Sequence, residues 1–505
     1  MNLPLPTSLP RWYTVKENEE KGWTPETDDI VDKPENREIT QAWNGSFCPP
    51  EASQFTLRLN NLQVISPVQV GGGSFREGHI LPAQFGGIPC IPGSSIRGAL
   101  LKWMRRIWSD LPPDEQAFWN KLIEGDRSGW QPRQIRFESL FLKKHLKPFP
   151  LYAQQSWQVF DTRSNQLGVQ WQVSPVLPPT SPPKFSIQVL LSQEATESEK
   201  SWLRNRLEEM LKEQGLGRGT ASGFGRMARS LPLTATWEIA LTGTKPAIQQ
   251  QDNKENIVGK YRWSPQVLRA TLRGYFTRVA LSLLSRNDAE TLTSKIFGGL
   301  NSPARLTLTS YLTQCQRSPT AGTNYANIPA KDAHSTWIIR ADCTPEFQDL
   351  IDPLLNIASR IGGLGPGWRR PPHSFRNNSL FRGSEFTLTP KSEDSIDGLI
   401  EGVRSRIRRL AAEYDLRTFQ QPRSVLGGIV SIWQGKPDAW EAIVHGVCST
   451  QNNSKPDWCG NSKTRPSGYA VRKYEDCCWI TVFDAGVENT LEDRGFRKIW
   501  PRSPQ

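Results

Sequence analysis

Two glycine-rich strings with arginines beside them are the parts of this sequence best suited to chemistry with phosphate. The first runs from Gly215 to Arg226, and the second is Gly363-Leu364-Gly365-Pro366-Gly367, followed by Arg369 and Arg370. Glycines let backbone N–H groups approach a phosphate without obstruction, and nearby guanidinium groups add positive charge. We therefore predict phosphate contacts from the following loop residues: Gly217, Arg218, Gly219, Arg226, Arg369 and Arg370.

A glycine-rich string has a second common role, as a plain helix stop or tight turn. Two strings with adjacent arginines at matched places favour phosphate binding over that role. Neither string carries the Gly-Lys-Ser/Thr ending of a Walker A loop, and neither follows a strand as a dinucleotide fingerprint does. The sequence therefore disfavours an enzyme that uses a nucleotide cofactor.

Two basic helices are the next candidates for contacts with nucleic acid. Apolar residues from Ile96 to Ile107 recur at helical spacing, with basic residues on the remaining faces, and Ser94 or Ser95 can cap this helix. A second helix is predicted from Val267 to Leu283. Basic residues spread around a helix suit a surface that follows phosphates, although an ordinary solvated face is the alternative. The predicted contacts from these segments are Ser94, Ser95, Arg97, Lys102, Arg262, Arg269 and Arg273.

Half of the eight cysteines lie in the last quarter of the chain: Cys448, Cys459, Cys477 and Cys478. With His445 nearby they supply enough soft ligands for one tetrahedral zinc ion. The spacing is not that of a Cys-x-x-Cys pair, so free thiols are the alternative. The N-terminus has no secretory signal pattern, which predicts a cytoplasmic, reducing location and no disulfides.

Composition predicts a polyanionic partner and more than one domain. The chain has 505 residues and a formal net charge of +12, which favours nucleic acid or an anionic surface. No apolar stretch is long enough to span a bilayer, so we expect no membrane partner. Nineteen tryptophans offer faces on which bases can stack, although most tryptophans pack in cores.

The order of predicted elements occurs twice along the chain. Each copy reads strand, loop, basic helix, further strands, helix and glycine-rich turn, and Ile96-Arg97-Gly98-Ala99-Leu100 aligns with Leu268-Arg269-Ala270-Thr271-Leu272. This order predicts an α+β fold with antiparallel sheets. We predict an N-terminal extension at 1–54, a first domain at 55–230, and a second domain at 231–505 with a cysteine-containing insertion or tail at about 440–480.

The segment Ile91-Pro92-Gly93-Ser94-Ser95-Ile96-Arg97-Gly98-Ala99-Leu100, together with the distal Gly223-Phe224-Gly225, closely resembles the CRISPR-associated RAMP superfamily. The resemblance covers residues 55 to 385 and is stronger in the first copy. It implies two tandem modified RNA-recognition (ferredoxin-like) domains in a double backbone subunit of a type III, III-D-like, effector complex. The implied partners are guide (CRISPR) RNA, target RNA and other effector subunits.

The resemblance also bears on catalysis, because some subunits of this family cut target RNA with an Asp between the first strand and the Ser-rich helix. The first copy lacks an Asp there, whereas the second copy offers Asp252. We therefore predict that Asp252 is catalytic, with a divalent metal such as Mg²⁺ for cleavage. Two alternatives remain: a subunit that only binds RNA, and a guide-processing endoribonuclease that uses His79 as its base.

Overall fold

The computed structural model describes most of the chain from residue 57 to residue 501. The described residues are 57–71, 73–74, 80–85, 88–124, 135–142, 145–151, 168–175, 182–191, 195–231, 234–243, 248–249, 261–299, 302–316, 328–329, 336–365, 368–375, 380–419, 427–449, 454–460 and 467–501. Described residues up to 231 form a first compact unit, and those from 234 form a second. The predicted extension 1–54 lies outside the described residues.

The first unit contains twelve strands and three α-helices among its described residues. The strands are β1 (Leu57–Val64), β2 (Val68–Val70), β3 (Gly73–Ser74), β4 (Ile80–Leu81), β5 (Gln84–Phe85), β6 (Ile88–Ile91), β7 (Ile135–Phe137), β8 (Leu140–Phe141), β9 (Lys147–Leu151), β10 (Gly168–Val173), β11 (Lys184–Leu191) and β12 (Met227–Ala228). The helices are α1 (Gly93–Ile107), α2 (Pro113–Trp119) and α3 (Glu197–Glu213).

The main sheet of the first unit has the antiparallel order β12-β1-β11-β7. With α1 after β1 and α3 after β11, this is the strand order of a ferredoxin-like βαββαβ domain. Leu57, Leu59, Leu62 and Val64 are buried along β1, with an irregularity in the pairing between Leu59 and Leu62. These apolar side chains determine which face of the sheet packs on the core. A capping box at Thr196 and Glu199 starts α3.

Among its described residues before 427, the second unit contains a four-stranded sheet, a three-stranded sheet, a separate strand pair and four α-helices. Its strands are β13 (Trp237–Gly243), β14 (Ile248–Gln249), β15 (Tyr261–Arg262), β16 (Leu308–Gln316), β17 (Ile328–Pro329), β18 (Thr336–Cys343), β19 (His373–Phe375), β20 (Leu380–Arg382) and β21 (Ser384–Thr389), with the pair β14-β15 beside them. Its helices are α4 (Pro265–Ala280), α5 (Arg286–Phe297), α6 (Gln348–Ile361) and α7 (Ile396–Glu413).

The main sheet of the second unit repeats the order of the first. Its order is β16-β18-β13-β21, with α4 after β13 and α6 after β18, so the strands again follow a ferredoxin-like arrangement. Trp237, Ile239 and Leu241 are buried on one face of β13, as the predicted alternation required. The predicted α+β fold class is confirmed.

Residues 427–449, 454–460 and 467–501, which we call the C-terminal module, form a third antiparallel sheet within the second unit. Its elements are β22 (Ser431–Gly435), α8 (Ala439–Glu441), β23 (Tyr469–Lys473), β24 (Cys478–Val482), α9 (Glu488–Glu492) and β25 (Arg497–Trp500), with the sheet order β23-β24-β22-β25. Trp433, Tyr469 and Ile480 belong to its own buried core. The cysteine-containing segment is therefore part of a folded sheet.

The zinc site predicted at the four cysteines of the C-terminal module remains a prediction. Cys448 and Cys459 are joined in a disulfide, with their Cα atoms 5.3 Å apart, and while they are paired neither sulfur is a thiolate that can bind zinc. This pair contradicts the expectation that the chain contains no disulfides. Cys477 and Cys478 are free and buried, and the Cys478 thiol lies 3.0 Å from the carbonyl oxygen of Lys436. A thiol pair alone falls short of four zinc ligands.

Candidate nucleic-acid interface

A groove of about 280 Å³ in the first unit brings the start of α1 beside the first glycine-rich loop. It contains four of the predicted contact residues, Ser95, Lys102, Gly217 and Arg218. Its remaining lining residues are Val70, Gly71, Ile91, Pro92, Gly98, Ala99, Gln214, Gly215 and Thr220. Residues that are more than a hundred positions apart in sequence therefore line one surface.

The glycine-rich loop is shaped by contacts that other residues do not permit. Gly217 has φ +83°, and a Cβ added there would lie 2.1 Å from the backbone oxygen of Gln69. The backbone N–H of Arg218 donates to that same oxygen at 2.9 Å. Glycine supplies both the left-handed conformation and the close approach. The loop is thereby fixed against β2 while the side chain of Arg218 remains exposed.

Arg226, a predicted phosphate contact, lies inside the loop and does not line the groove. Its side chain is fully buried and donates to the carbonyl oxygens of Phe224 at 2.9 Å, Thr220 at 3.1 Å and Gln214. Its backbone N–H donates to the Ser66 hydroxyl at 2.9 Å. A guanidinium group held by three loop carbonyls fixes the loop from inside, and it does not face a ligand in the groove.

The start of α1 differs from the predicted cap but keeps its serines at the surface. Pro92 is the N-cap residue and no side chain caps the helix, because the helix begins one residue before Ser94. Ser94 and Ser95 are exposed in the first turn, and Ser95 lines the groove. The first-turn N–H groups and the helix dipole give this end of α1 partial positive charge. An anion in the groove is favoured by that charge.

The exposed face of α1 continues the groove beyond its first turn. Gly98 and Lys102 are exposed and Ala99 is half-buried, whereas Ile96 and Leu100 pack into the core. Arg97, another predicted contact, is half-buried and does not line the groove. Sequence reasoning missed Gly98 and Ala99, whose small side chains leave room beside Lys102. A glycine within a helix is the signal that could have drawn attention to this face.

The predicted contacts on the second basic helix are largely enclosed. Arg269 and Arg273 on α4 are half-buried, and Arg269 donates to the carbonyl oxygen of Phe297. Burial lowers the pKa of Arg269 to about 10. Arg269 therefore holds the end of α5, and its contact with RNA remains a prediction. Arg262 lies in β15, paired with Ile248.

The two arginines after the second glycine string also have partners within the protein. Arg369 donates to the carbonyl oxygen of Ser467, and its guanidinium lies 5.1 Å from the ring centroid of Trp368. Arg370 contacts the hydroxyls of Ser467 at 3.4 Å and Tyr469 at 3.2 Å. Both are half-buried. These side chains hold the C-terminal module, and a phosphate contact from Arg369 and Arg370 remains a prediction.

The predicted catalytic residue and its alternative lie outside the described residues. Asp252 and His79 both lie in such segments, so the predictions of cleavage and of a Mg²⁺ site remain predictions. Within the described ranges, no group of three or more His, Cys, Asp or Glu side chains could hold a metal ion. None of the helices in those ranges is both long and apolar enough to cross a membrane.

Comparison with known proteins finds one similar solved structure and one family model that match parts of this chain. One solved structure with a similar chain is described as the type III-B Cmr-beta bound to cognate target RNA, at 13% identity and a TM-score of 0.24. That alignment covers 34% of this chain and 57% of the other, which is less than two thirds of its length. No curated protein matches. The family model of the RAMP superfamily matches residues 61–228 of this chain, and all the residues that line the groove fall within that stretch.

Proposed function

We propose that this protein is a guide-RNA-binding subunit of a type III CRISPR effector complex, and that the groove of its first unit binds the RNA backbone. The observation that carries the proposal is the position of the groove, within the region that matches the RAMP superfamily. Other effector subunits and target RNA are the further partners that the proposal entails. The repeated ferredoxin-like strand order supports a second domain of the same kind, as in a double backbone subunit.

The chemistry of the groove suits phosphate more than bases. Arg218 and Lys102 supply positive side chains, and the start of α1 supplies backbone N–H groups. No aromatic side chain is among the residues that line it, so stacking does not contribute there. Contacts to phosphate position an RNA without reading its sequence. We therefore expect binding that depends steeply on salt and little on sequence.

Salt titration of RNA binding tests this proposal directly. Neutralising Lys102→Gln and Arg218→Gln should each weaken binding and lower the slope of log K against log salt by about 1. Arg204→Gln is the matched control, since Arg204 is an exposed basic residue of α3 in the same unit but does not line the groove. If all three variants retain the affinity and slope of the unmodified chain, RNA does not bind in the groove.

Cleavage of target RNA by the second unit is a second candidate function, and the β14-β15 pair favours it. Ile248 pairs with Arg262 and Gln249 with Tyr261, so both ends of the segment that contains Asp252 meet just before α4. A carboxylate there would take the proton of a ribose 2′-hydroxyl as that oxygen attacks the adjacent phosphorus, and the departing 5′-oxygen would take a proton from water. In the alternative role, Asp252 would hold a Mg²⁺ ion that offsets the phosphate charge.

The variant Asp252→Ala in the assembled complex separates cleavage from binding. One cut in a complementary target should disappear while guide and target remain bound, because removing an anion does not weaken the hold on phosphate. Glu255→Ala is the control, since it removes a carboxylate from the same segment. An unchanged cut pattern with Asp252→Ala would leave a subunit that only binds RNA.

A further inference from the structure

The surface of α4 that corresponds to the groove face of α1 is closed. Gly98, Ala99 and Lys102 of α1 align with Ala270, Thr271 and Gly274 of α4. The first three are exposed or half-buried, whereas Ala270, Thr271 and Gly274 are all buried. The Thr271 hydroxyl accepts a hydrogen bond at 3.3 Å from the backbone N–H of Gly365, in the second glycine string. The loop therefore lies directly on the helix where the first unit has its groove.

The C-terminal module covers the arginines beside this closed face. Arg278, which aligns with Arg106, lies 4.2 Å from the ring centroid of Phe483 and donates to the carbonyl oxygen of Gly427 at 2.8 Å. The guanidinium of Arg369 lies 5.4 Å from the same Phe483 ring. Phe483 is 2% exposed. One aromatic ring of the module is thus packed over both arginines.

Backbone hydrogen bonds join the module to the same arginines. The N–H of Ile429 donates to the carbonyl oxygen of Arg278 at 3.0 Å, and the N–H of Val471 donates to that of Arg369 at 2.9 Å. Arg370 lies 4.6 Å from the ring centroid of Tyr469. Contacts with backbone and side chain on both elements indicate a fitted interface.

Arg278, Arg369 and Arg370 form an arginine cluster, and the groups that they contact within the protein resemble the groups of a nucleic acid. Arg278, Arg369 and Arg370 contact carbonyl oxygens, hydroxyls and the faces of aromatic rings, where RNA would offer phosphate oxygens, ribose hydroxyls and bases. Burial lowers the pKa of Arg278 to about 10 and that of Arg369 well below its usual range. The cluster therefore holds charge that water no longer solvates.

We propose that the C-terminal module covers the arginines beside the closed face of α4 and takes the place that RNA would have on them. Among the described residues, the first unit then keeps an open phosphate-binding groove, whereas the glycine-rich loop closes the corresponding helix face of the second unit. The comparison with RNA rests on the proposed function, whereas the covering of the arginines by the module is tested without RNA.

The rates at which individual arginines of the intact chain react with a chemical reagent test whether the module covers Arg278 and Arg369. The reagent is phenylglyoxal, and peptide mass spectrometry gives a rate for each arginine. Arg218 should react readily, and Arg278 and Arg369 at least about tenfold more slowly, as expected of groups reached only when buried structure opens. Adding a single-stranded RNA oligonucleotide should slow Arg218 and leave the other two rates unchanged. Equal rates for all three arginines without RNA, or protection of Arg278 and Arg369 by RNA, would overturn the proposal.

Two substitutions in the core of the C-terminal module refine the measurement. Phe483→Ala removes the ring over Arg278 and Arg369 and should raise both rates toward that of Arg218. Phe496→Ala is the matched control, because Phe496 is a buried aromatic of the same module that packs on Gly435. The proposal is overturned if Phe496→Ala raises the two rates as much as Phe483→Ala. A lack of RNA protection at Arg218 alone would instead count against the proposed function.

Discussion

Replacing Arg226 should destabilise the first unit and affect RNA binding only through that loss. Arg226→Met keeps much of the side-chain volume but removes the donors to Gln214, Thr220 and Phe224. Hydrogen bonds from a charged donor contribute about 1.5–3 kcal/mol each and are not additive, so we expect a loss of about 3–5 kcal/mol. For a unit of this size, that loss lowers the Tm by about 6–20 °C.

Thermal unfolding of Arg226→Met and Arg218→Met, followed by circular dichroism, is the assay. Arg218 is exposed, so its substitution should change stability by less than about 0.5 kcal/mol while it weakens RNA binding. Substitution of Arg226 should therefore lower stability, whereas substitution of Arg218 should lower RNA affinity and leave stability nearly unchanged. A normal Tm for Arg226→Met combined with lost RNA binding would show that Arg226 contacts RNA and that the structural reasoning is wrong.

Three further perturbations have defined outcomes. Gly217→Ala should weaken RNA binding and cost about 1–3 kcal/mol of stability, because the added Cβ would lie 2.1 Å from the backbone oxygen of Gln69. Gly98→Ala is the control: its Cβ would meet no atom within 4 Å, so thermal melts should show an unchanged Tm. Cys448→Ser should cost about 2–3 kcal/mol by opening the disulfide, measured as a lower Tm that a reducing agent reproduces in the unmodified chain. Burial raises the pKa of the Cys478 thiol from 9.0 to about 11. The stability that this thiol contributes is therefore fully present below pH 9 and should be lost between pH 9 and about 11. Denaturant titrations across this pH range measure the loss, and Cys478→Ala should lessen it.

The regular elements could be predicted from the sequence because their periodicity is local. The helix predicted from Val267 to Leu283 spans Pro265–Ala280, and the helical spacing from Ile96 to Ile107 lies within the helix Gly93–Ile107. The folded nature of the C-terminal module could not be predicted from its polar, turn-rich sequence. Its core depends on contacts such as Tyr469 with Trp458, whose ring centroids are 5.7 Å apart, and on the disulfide. Such contacts leave no periodic pattern.

The candidate site was only partly predictable, because residue type does not determine which way a side chain faces. Both Arg218 and Arg226 lie in the glycine-rich string, yet one is exposed and the other is buried. The difference comes from the loop conformation, which positive φ values at Gly217, Gly219 and Gly225 determine. Sequence alone places the glycines but does not give the register of the loop against Gln69.

Net charge therefore overstates the surface available to RNA. The formal charge of +12 counts every arginine equally, but Arg226, Arg278, Arg404 and Arg472 are buried. Buried guanidinium groups that are held by carbonyls and rings release no counterions when a phosphate binds outside. The salt dependence of RNA binding should accordingly follow the exposed cations of the first groove.

Lys102 in the first unit is matched by Gly274 in the second, so the two copies differ in charge where they differ in exposure. We therefore expect RNA to bind in the groove of the first unit, whereas the described residues of the second unit hold the C-terminal module.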